Sequence, residues 1–323
     1  MKKKILIIRF SSIGDIVLTT PVIRCLKEQL NEVEIHYATK GSFEVLLKDN
    51  PYIDKLHLFK NDLKTLIKVL RKEQFDYVID LHNNLRTRII KTALLKKSYS
   101  FKKLNIKKFL LTSFKVSKLP NIHIVDRYLE TVKELGVIND GKGLDYFIPK
   151  KDEILLADFN IPKEYIGFVL GAKFATKRMP YNKLLEVSMK IEGSIVLLGG
   201  KEDFEIGEKL KNKLDRENVI NACGQFNLNQ SASLVNQATQ IITHDTGLMH
   251  IASAFNKKII SVWGNTVPVF GMYQYGKAEN KVIVEVKDLD CRPCSKIGYK
   301  ECPKKHFDCM NKIDVSEIIN GLK

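Results

Sequence analysis

Apolar residues in this chain fall into short unbroken runs, separated by longer stretches in which they recur every three or four positions. A short, fully apolar run reads as a strand buried on both faces, and the wider spacing reads as an amphipathic helix. In the first half the predicted strands are residues 5–8 (ILII), 34–39 (EIHYAT), 55–59 (KLHLF) and 77–81 (YVIDL). A helix is expected over residues 16–30, with Val17, Val22, Ile23, Leu26 and Leu30 on one face and Thr20-Pro21 as cap and first helical residue. Glycines, prolines and charges over residues 139–163 break the pattern, and a second series follows: 165–172 (YIGFVLGA), 194–200 (SIVLLGG), 218–224 (NVINACG), 240–245 (QIITHD) and 258–264 (KIISVWG). Strands alternating with helices predict an α/β fold with parallel sheets. The pattern divides into two Rossmann-like domains facing each other across a cleft, residues 1–155 and 156–323.

Length agrees with this division, because 323 residues exceed the roughly 250–300 at which a single core usually splits. Hydrophobic residues at 44% and charged residues at 28% are those of a globular protein, and no stretch of about 18 apolar residues is present to span a bilayer. The apolar run after MKKK ends within a few residues at Arg9, too soon for a signal peptide, so a cytoplasmic location is expected. Six cysteines are then expected to be reduced.

Charge changes the picture further. Of the net +16, residues 86–118 carry +11, with eleven Lys or Arg and no Asp or Glu. Phe101, Leu104, Ile106, Phe109, Leu110 and Phe114 are interleaved with the lysines there, as in a segment lying on an anionic surface: phospholipid, phosphorylated glycolipid or nucleic acid. A solvated basic face without a partner has the same composition.

Three stretches carry candidate chemistry. In IRFSSIGDIVLTTP, residues 8–21, Asp15 follows a glycine where the first strand gives way to a helix. Loops at the carboxyl ends of parallel strands border the ligand crevice, so Asp15 is either a helix cap or a catalytic carboxylate. In ITHDTGLMHIASAF, residues 242–255, a strand ends at His244-Asp245 and a helix starts after Thr246 and Gly247, which makes an anion site of Thr246, Gly247 and Leu248, with His250 within reach. Asp245 or Thr246 serving only as a cap, with His250 in the core, is the alternative. In GAKFATKRMP, residues 171–180, Thr176 and Lys177, with Lys173 and Arg178 beside them, follow another strand and suit a leaving diphosphate. The fingerprints of dinucleotide and P-loop sites, and the G-x-S-x-G elbow, are absent. In the tail, Cys291, Cys294, Cys302, His306 and Cys309 have the ligand types of a structural zinc site and are equally compatible with packed thiols.

Taken together, RFSSIGDIVLTTP, KRMP (177–180), LLGGKED (197–203), HDTGLMHIA (244–252), WGNTVPVFG (263–271) and the cysteine-rich tail resemble the ADP-heptose:lipopolysaccharide heptosyltransferases of glycosyltransferase family 9. The resemblance implies a GT-B fold with an acceptor-binding N-terminal and a nucleotide-sugar-binding C-terminal domain, and inverting transfer without a catalytic metal. It implies Asp15 as general base, and Lys177 with Asp245 to His250 around the donor diphosphate. Met179 stands where the family's segment usually has tryptophan. The expected partners are a nucleotide-sugar donor, a lipopolysaccharide core acceptor bound through Arg86, Arg88, Lys102 and Lys103, and the inner face of the membrane, with no nucleic acid. The ADP-sugar is then a substrate, and catalysis calls for no cofactor. Another GT-B glycosyltransferase, using a different nucleotide sugar for a different surface glycan, is the alternative.

Overall fold

A computed structural model describes residues 2–323. The Ile5–Ile8 run forms the heart of β1 (Lys3–Ile8), and all four of those side chains are buried completely. β1 is covered on both edges by parallel neighbours. β2 (Val33–Lys40) lies on one side and β4 (Tyr77–Asp80) on the other, with Ile8 opposite both Ala38 and Asp80. β3 (Lys55–Phe59) and β5 (Lys97–Ser100) complete the order β3-β2-β1-β4-β5. A core of Leu6, Ile8, Phe10, Leu66, Leu70, Phe75, Val78 and Ile90 packs on one face of this sheet.

The helices of this first unit follow from local chemistry. The expected single helix over residues 16–30 is two: α1 (Ile13–Val17) and α2 (Thr20–Gln29). Asp15 therefore sits in the first turn of α1. Thr20 is not a side-chain cap. Thr19 holds the cap position of α2, while the Thr20 hydroxyl donates to Val17 O (2.8 Å) and accepts from Asp145 N (2.9 Å). α3 (Leu63–Lys72) is capped by Asp62, whose carboxylate accepts from the Lys64 and Thr65 amides, and α4 (Leu85–Leu94) by Asn84.

The contacts do not cut the chain once. The first unit comprises residues up to Lys103 together with Ile122–Phe147, and the second comprises Leu104–Asn121 with Ile148–Lys323. The basic stretch 86–118 is thereby divided: α4 and β5 belong to the first unit and α5 (Asn105–Phe114) to the second, while α6 (Ile124–Leu129) returns to the first.

The second unit is built on β6 (Ile166–Val169), β7 (Ile195–Leu198), β8 (Val219–Asn221), β9 (Gln240–His244), β10 (Lys258–Trp263) and β11 (Lys281–Glu285), all parallel, in the order β11-β10-β9-β6-β7-β8. α7 (Tyr181–Lys190), α8 (Phe204–Leu214), α9 (Leu228–Gln237), α10 (Gly247–Ala254), α11 (Asp308–Asn311) and α12 (Val315–Leu322) complete it. Strand side chains alternate between two cores, as the period of two requires. Phe168, Leu197, Ile242 and Ile260 face one; Val169, Val196, Leu198, Ile241 and Ile259 face the other. Met179 is packed in the first of these cores among Leu170 and Leu184, so the residue replacing tryptophan is a core residue here.

Strands β5 and β11 were not among the predicted strands. Both are edge strands, and neither reads as a buried apolar run: KSYS is polar, and KVIVE is flanked by charge. In both sheets the chain doubles back beside its first strand, between β1 and β4 and between β6 and β9. Loops at such a reversal leave the strand ends in opposite directions and open a crevice for ligands.

Candidate active site

Two groups of functional side chains emerge, one at the reversal point of each sheet. In the first unit, Arg9 leaves the end of β1 and is 7% exposed. Its guanidinium donates from Nε to Ser11 O (2.7 Å), from Nη1 to Leu81 O (2.5 Å) and the Tyr128 hydroxyl (3.0 Å), and its Nη2 meets Asp15 Oδ1 at 2.5 Å. The other oxygen, Asp15 Oδ2, accepts from Ser12 N (3.1 Å) and Ser12 Oγ (2.7 Å). Burial pushes the Asp15 carboxyl up, but Arg9 and the Ser12 hydrogen bonds outweigh it and hold the group below the usual carboxylate range. Asp15 is thus an anion that both caps α1 and faces a cation.

His82, just past β4, belongs to the same group. Burial, then Arg9 and Lys103, depress its pKa to about 4, so it is neutral at pH 7, and its buried Nδ1 has no hydrogen-bond partner. Burial and Arg9 also lower Lys103, which lies within electrostatic reach of Asp15, Asp80 and Arg88. Among the expected acceptor residues, Arg86 is exposed over the Phe59 ring (5.6 Å), Arg88 is exposed, and exposed Lys102 offers its carbonyl to Arg127. Lys91 pairs instead with buried Asp80 at 3.0 Å. Sequence reasoning missed Arg9 and His82. A charged residue directly ending a buried strand was the available signal.

In the second unit the loops after β6 and β9 meet. Lys177 Nζ contacts Asp245 Oδ2 at 2.5 Å and the Asp245 carbonyl at 3.4 Å, and Thr266 Oγ1 donates to Asp245 Oδ2 (2.9 Å). Thr246 is the N-cap of α10, and Gly247 and Leu248 open it, all partly exposed. The first amides of a helix lack intrahelical acceptors, and the dipole adds to their pull on an anion. His250, the fourth residue of α10, is buried, as is Thr176, whose hydroxyl accepts from Tyr299 N (2.8 Å) and lies 3.2 Å from Tyr299 O. Both shape the loops from beneath. His244 is also buried; its Nε2 accepts from Met179 N (3.0 Å), and burial depresses its pKa to about 4. Arg178 is taken by Asp203 (2.8 Å) and Ala172 O (2.6 Å). Gly171 is required beside them, since a Cβ there would lie 2.1 Å from Asp203 Oδ2.

The tail residues Cys291, Cys294, Cys302, His306 and Cys309 line one small cavity with Asn265 and Thr176. Among the described residues, the only three potential metal-binding atoms all within 4.8 Å of one another belong to His36, His57 and Glu73, so the sulfurs stand further apart than ligands closed on an ion. That histidine pair is satisfied internally: the ring nitrogens of His36 meet His57 Nε2 (2.9 Å) and Glu34 Oε1 (2.7 Å), and Glu73 pairs with Lys55 (2.6 Å).

Two parallel α/β units, one carrying the Lys177–Asp245 loop pair and the other the Arg9–Asp15 pair, have the architecture of the GT-B class of glycosyltransferases. The model of glycosyltransferase family 9 (heptosyltransferase) matches residues 63–305, and the chain belongs to this family. It is 27% identical to lipooligosaccharide heptosyltransferase 2 of Haemophilus influenzae, covering 91% of this chain and 92% of the relative. It is likewise 27% identical to lipopolysaccharide heptosyltransferase 1 of Campylobacter coli, covering 99% and 98%. The solved structure of the Escherichia coli ADP-heptose lipopolysaccharide heptosyltransferase II superposes with a TM-score of 0.73 at 19% identity, covering 100% of this chain and 97% of that one.

Proposed function

We propose that this enzyme transfers a heptose from ADP-heptose to the inner core of lipopolysaccharide, with inversion at the anomeric carbon. The observation that carries the site assignment is that Asp15 and the Lys177–Asp245 loop pair each fall at the reversal point of a parallel sheet. In the reaction an acceptor hydroxyl oxygen bonds to the anomeric carbon as the bond from that carbon to the diphosphate oxygen breaks. The hydroxyl proton passes to Asp15, and the bonding pair leaves with ADP. Asp15 is already ionised, so it is ready to accept a proton once the acceptor hydroxyl competes with Arg9 for it.

The charge gained by ADP falls to Lys177 and to the amides of Thr246, Gly247 and Leu248, preorganised groups of the kind that supply much of enzymatic rate enhancement. Asp245 carries negative charge itself. It serves by aiming Lys177 and by accepting from Thr266, while Thr176 and His250 pack beneath the loops. Arg86, Arg88, Lys102 and Lys103 present cationic groups of the first unit to the phosphates and acidic sugars of the acceptor.

The same reading places the enzyme peripherally on the inner membrane face. No helix among the described residues is long and apolar enough to cross a membrane. On α5 and just after it, exposed Ile106, Phe109, Phe114 and Val116 are interleaved with Lys107, Lys108 and Lys115. Apolar anchors among lysines suit an anionic lipid surface.

The deciding experiment offers the purified enzyme a heptose-deficient lipopolysaccharide core with ADP-heptose, or with UDP-linked hexoses, and follows nucleotide release and product mass. Transfer from ADP-heptose is the expected result. Transfer only from another donor would assign the chain to a different surface glycan.

A further inference from the structure

Two histidines are buried together in the first unit and take no part in the chemistry above. His36 of β2 is fully buried, and His57 of β3 is 3% exposed. The parallel register sets His36 beside Lys55 and His57 beside Ala38, which makes the two histidines diagonal neighbours on one face of the sheet. The Phe75 ring stands nearly perpendicular to both, with centroids 5.1 Å from His36 and 6.1 Å from His57. Imidazoles placed against hydrocarbon are costly unless their nitrogens are engaged, so this pair calls for a reason.

The reason lies in a third side chain. Glu73, the C-cap residue of α3, reaches the pair, and one ligand atom from each of His36, His57 and Glu73 lies within 4.8 Å of the other two. His36 Nδ1 is 2.9 Å from His57 Nε2 and 4.0 Å from Glu73 Oε2. Glu73 Oε1 is held by Lys55 (2.6 Å), which leaves Oε2 as the oxygen facing the histidines.

We propose that His36 Nδ1, His57 Nε2 and Glu73 Oε2 bind one divalent transition-metal ion of the zinc class, with water as a fourth ligand. In a tetrahedral zinc site with bonds of about 2.1 Å, ligand atoms stand about 3.4 Å apart, and the two separations at His36 Nδ1 straddle that value. His36 Nε2 faces Glu34 Oε1 at 2.7 Å and so carries the proton of that ring, which leaves Nδ1 as a lone pair. In the neutral pair this lone pair accepts from His57 Nε2. On ion binding the His57 proton moves to Nδ1 of its own ring, and both facing nitrogens become ligands. Glu34 then orients His36 from behind, as carboxylates do for metal-bound histidines. Glu34 and Glu73 together match the two charges of the ion. The site joins β2, the edge strand β3 and the end of α3, so the ion acts as a clamp on that edge of the sheet.

The test titrates the full, reduced, metal-stripped chain with zinc(II) by calorimetry and compares His57→Gln, whose amide keeps a donor for His36 Nδ1. The variant should bind one equivalent fewer than the wild type, whatever else the chain binds. Zinc should also raise the thermal midpoint of the wild type by several degrees more than that of the variant. Anomalous diffraction at the zinc edge should place a peak among His36, His57 and Glu73. Lys4→Gln removes a cation 3.7 Å from Glu73 Oε2 and should tighten binding at this site several-fold. Equal stoichiometry in the wild type and His57→Gln would overturn the proposal, as would zinc-soaked crystals without that peak, and the pair would then be a hydrogen-bonded dyad alone. If His57→Gln does not fold, diffraction and Lys4→Gln decide the matter, because both keep all three ligands, and unchanged zinc affinity in Lys4→Gln counts against the site.

Discussion

Arg9 Nη2 and Asp15 Oδ1 are joined at 2.5 Å, while the second oxygen of the same carboxylate closes the first turn of α1 through Ser12. Cap and base are therefore not competing roles for Asp15. One oxygen holds the helix start, and the other faces the cation that keeps the group ionised.

Asp15→Asn keeps a carbonyl oxygen for Ser12 but cannot take a proton. Transfer should fall by about 10²- to 10⁴-fold, the usual worth of a general base. Donor binding, measured by calorimetry with ADP, should be unchanged. Transfer within a few-fold of wild type would leave Asp15 with its capping role alone.

Arg9→Met removes the cation that, together with the Ser12 hydrogen bonds, outweighs burial at Asp15, so the carboxyl pKa should rise. The acidic limb of the kcat/KM profile should move to higher pH, which a pH–rate series measures. In the wild type the folded pKa is depressed, so the stability contributed by the pair is present above the ordinary value of 3.8 and is lost as pH falls through the lower folded value. The acid-unfolding midpoint of Arg9→Met should accordingly lie at higher pH than that of the wild type.

Lys177→Ala should lower kcat by about 10²- to 10³-fold, the scale on which a single preorganised charge-stabilising group acts. Asp245→Asn leaves the lysine but loosens its aim, so it should raise donor KM while sparing more of kcat. Steady-state kinetics on both variants separate the two roles. Equal loss of kcat in both would make Asp245 as direct a participant as Lys177.

Arg24, buried in α2, binds Asp140 (2.7 Å) and Asp145 and ties the helix to the segment after α6. Arg24→Met leaves two carboxylates without their cation and should cost about 3–5 kcal/mol, the usual penalty for breaking a buried pair. Chemical denaturation gives the value directly. Asp140, held at about 2 by Arg24, contributes stability that is present above its ordinary 3.8 and lost as pH falls toward 2, so the variant should lose this part of its acid dependence.

Neutralising Lys107 and Lys108 together should weaken binding to anionic phospholipid vesicles by about 1 kcal/mol per lysine, and rising salt should shrink the difference. Binding that is unchanged in low salt would make α5 a solvated basic face.

The fold was legible wherever burial is two-sided. ILII and the Ile241-Ile242 pair of β9 are apolar because parallel neighbours and helices cover them entirely, and such runs identify themselves without partners. KSYS and KVIVE escaped because these edge strands are polar or flanked by charge, whereas the edge strands KLHLF and VIN keep alternate positions buried and were legible. The split of the expected helix at Thr19 escaped for another reason: Thr20 is held by Asp145, more than a hundred residues away, which no local pattern records.

The candidate site divides in the same way. By itself the sequence determined which residues could carry the chemistry, because a carboxylate after a strand and a glycine-hydroxyl helix start advertise their chemistry through local backbone geometry. Asp15, Lys177 and Thr246 to Leu248 were read in this manner. Only the tertiary structure decided their partners and charge states. Arg9 meets Asp15, Lys177 meets Asp245, and His82 is neutral, because strand order brings distant loop ends together. Electrostatic and hydrogen-bond energies depend on separations of a few ångströms, and those are set by the packing of the sheets rather than by spacing along the chain.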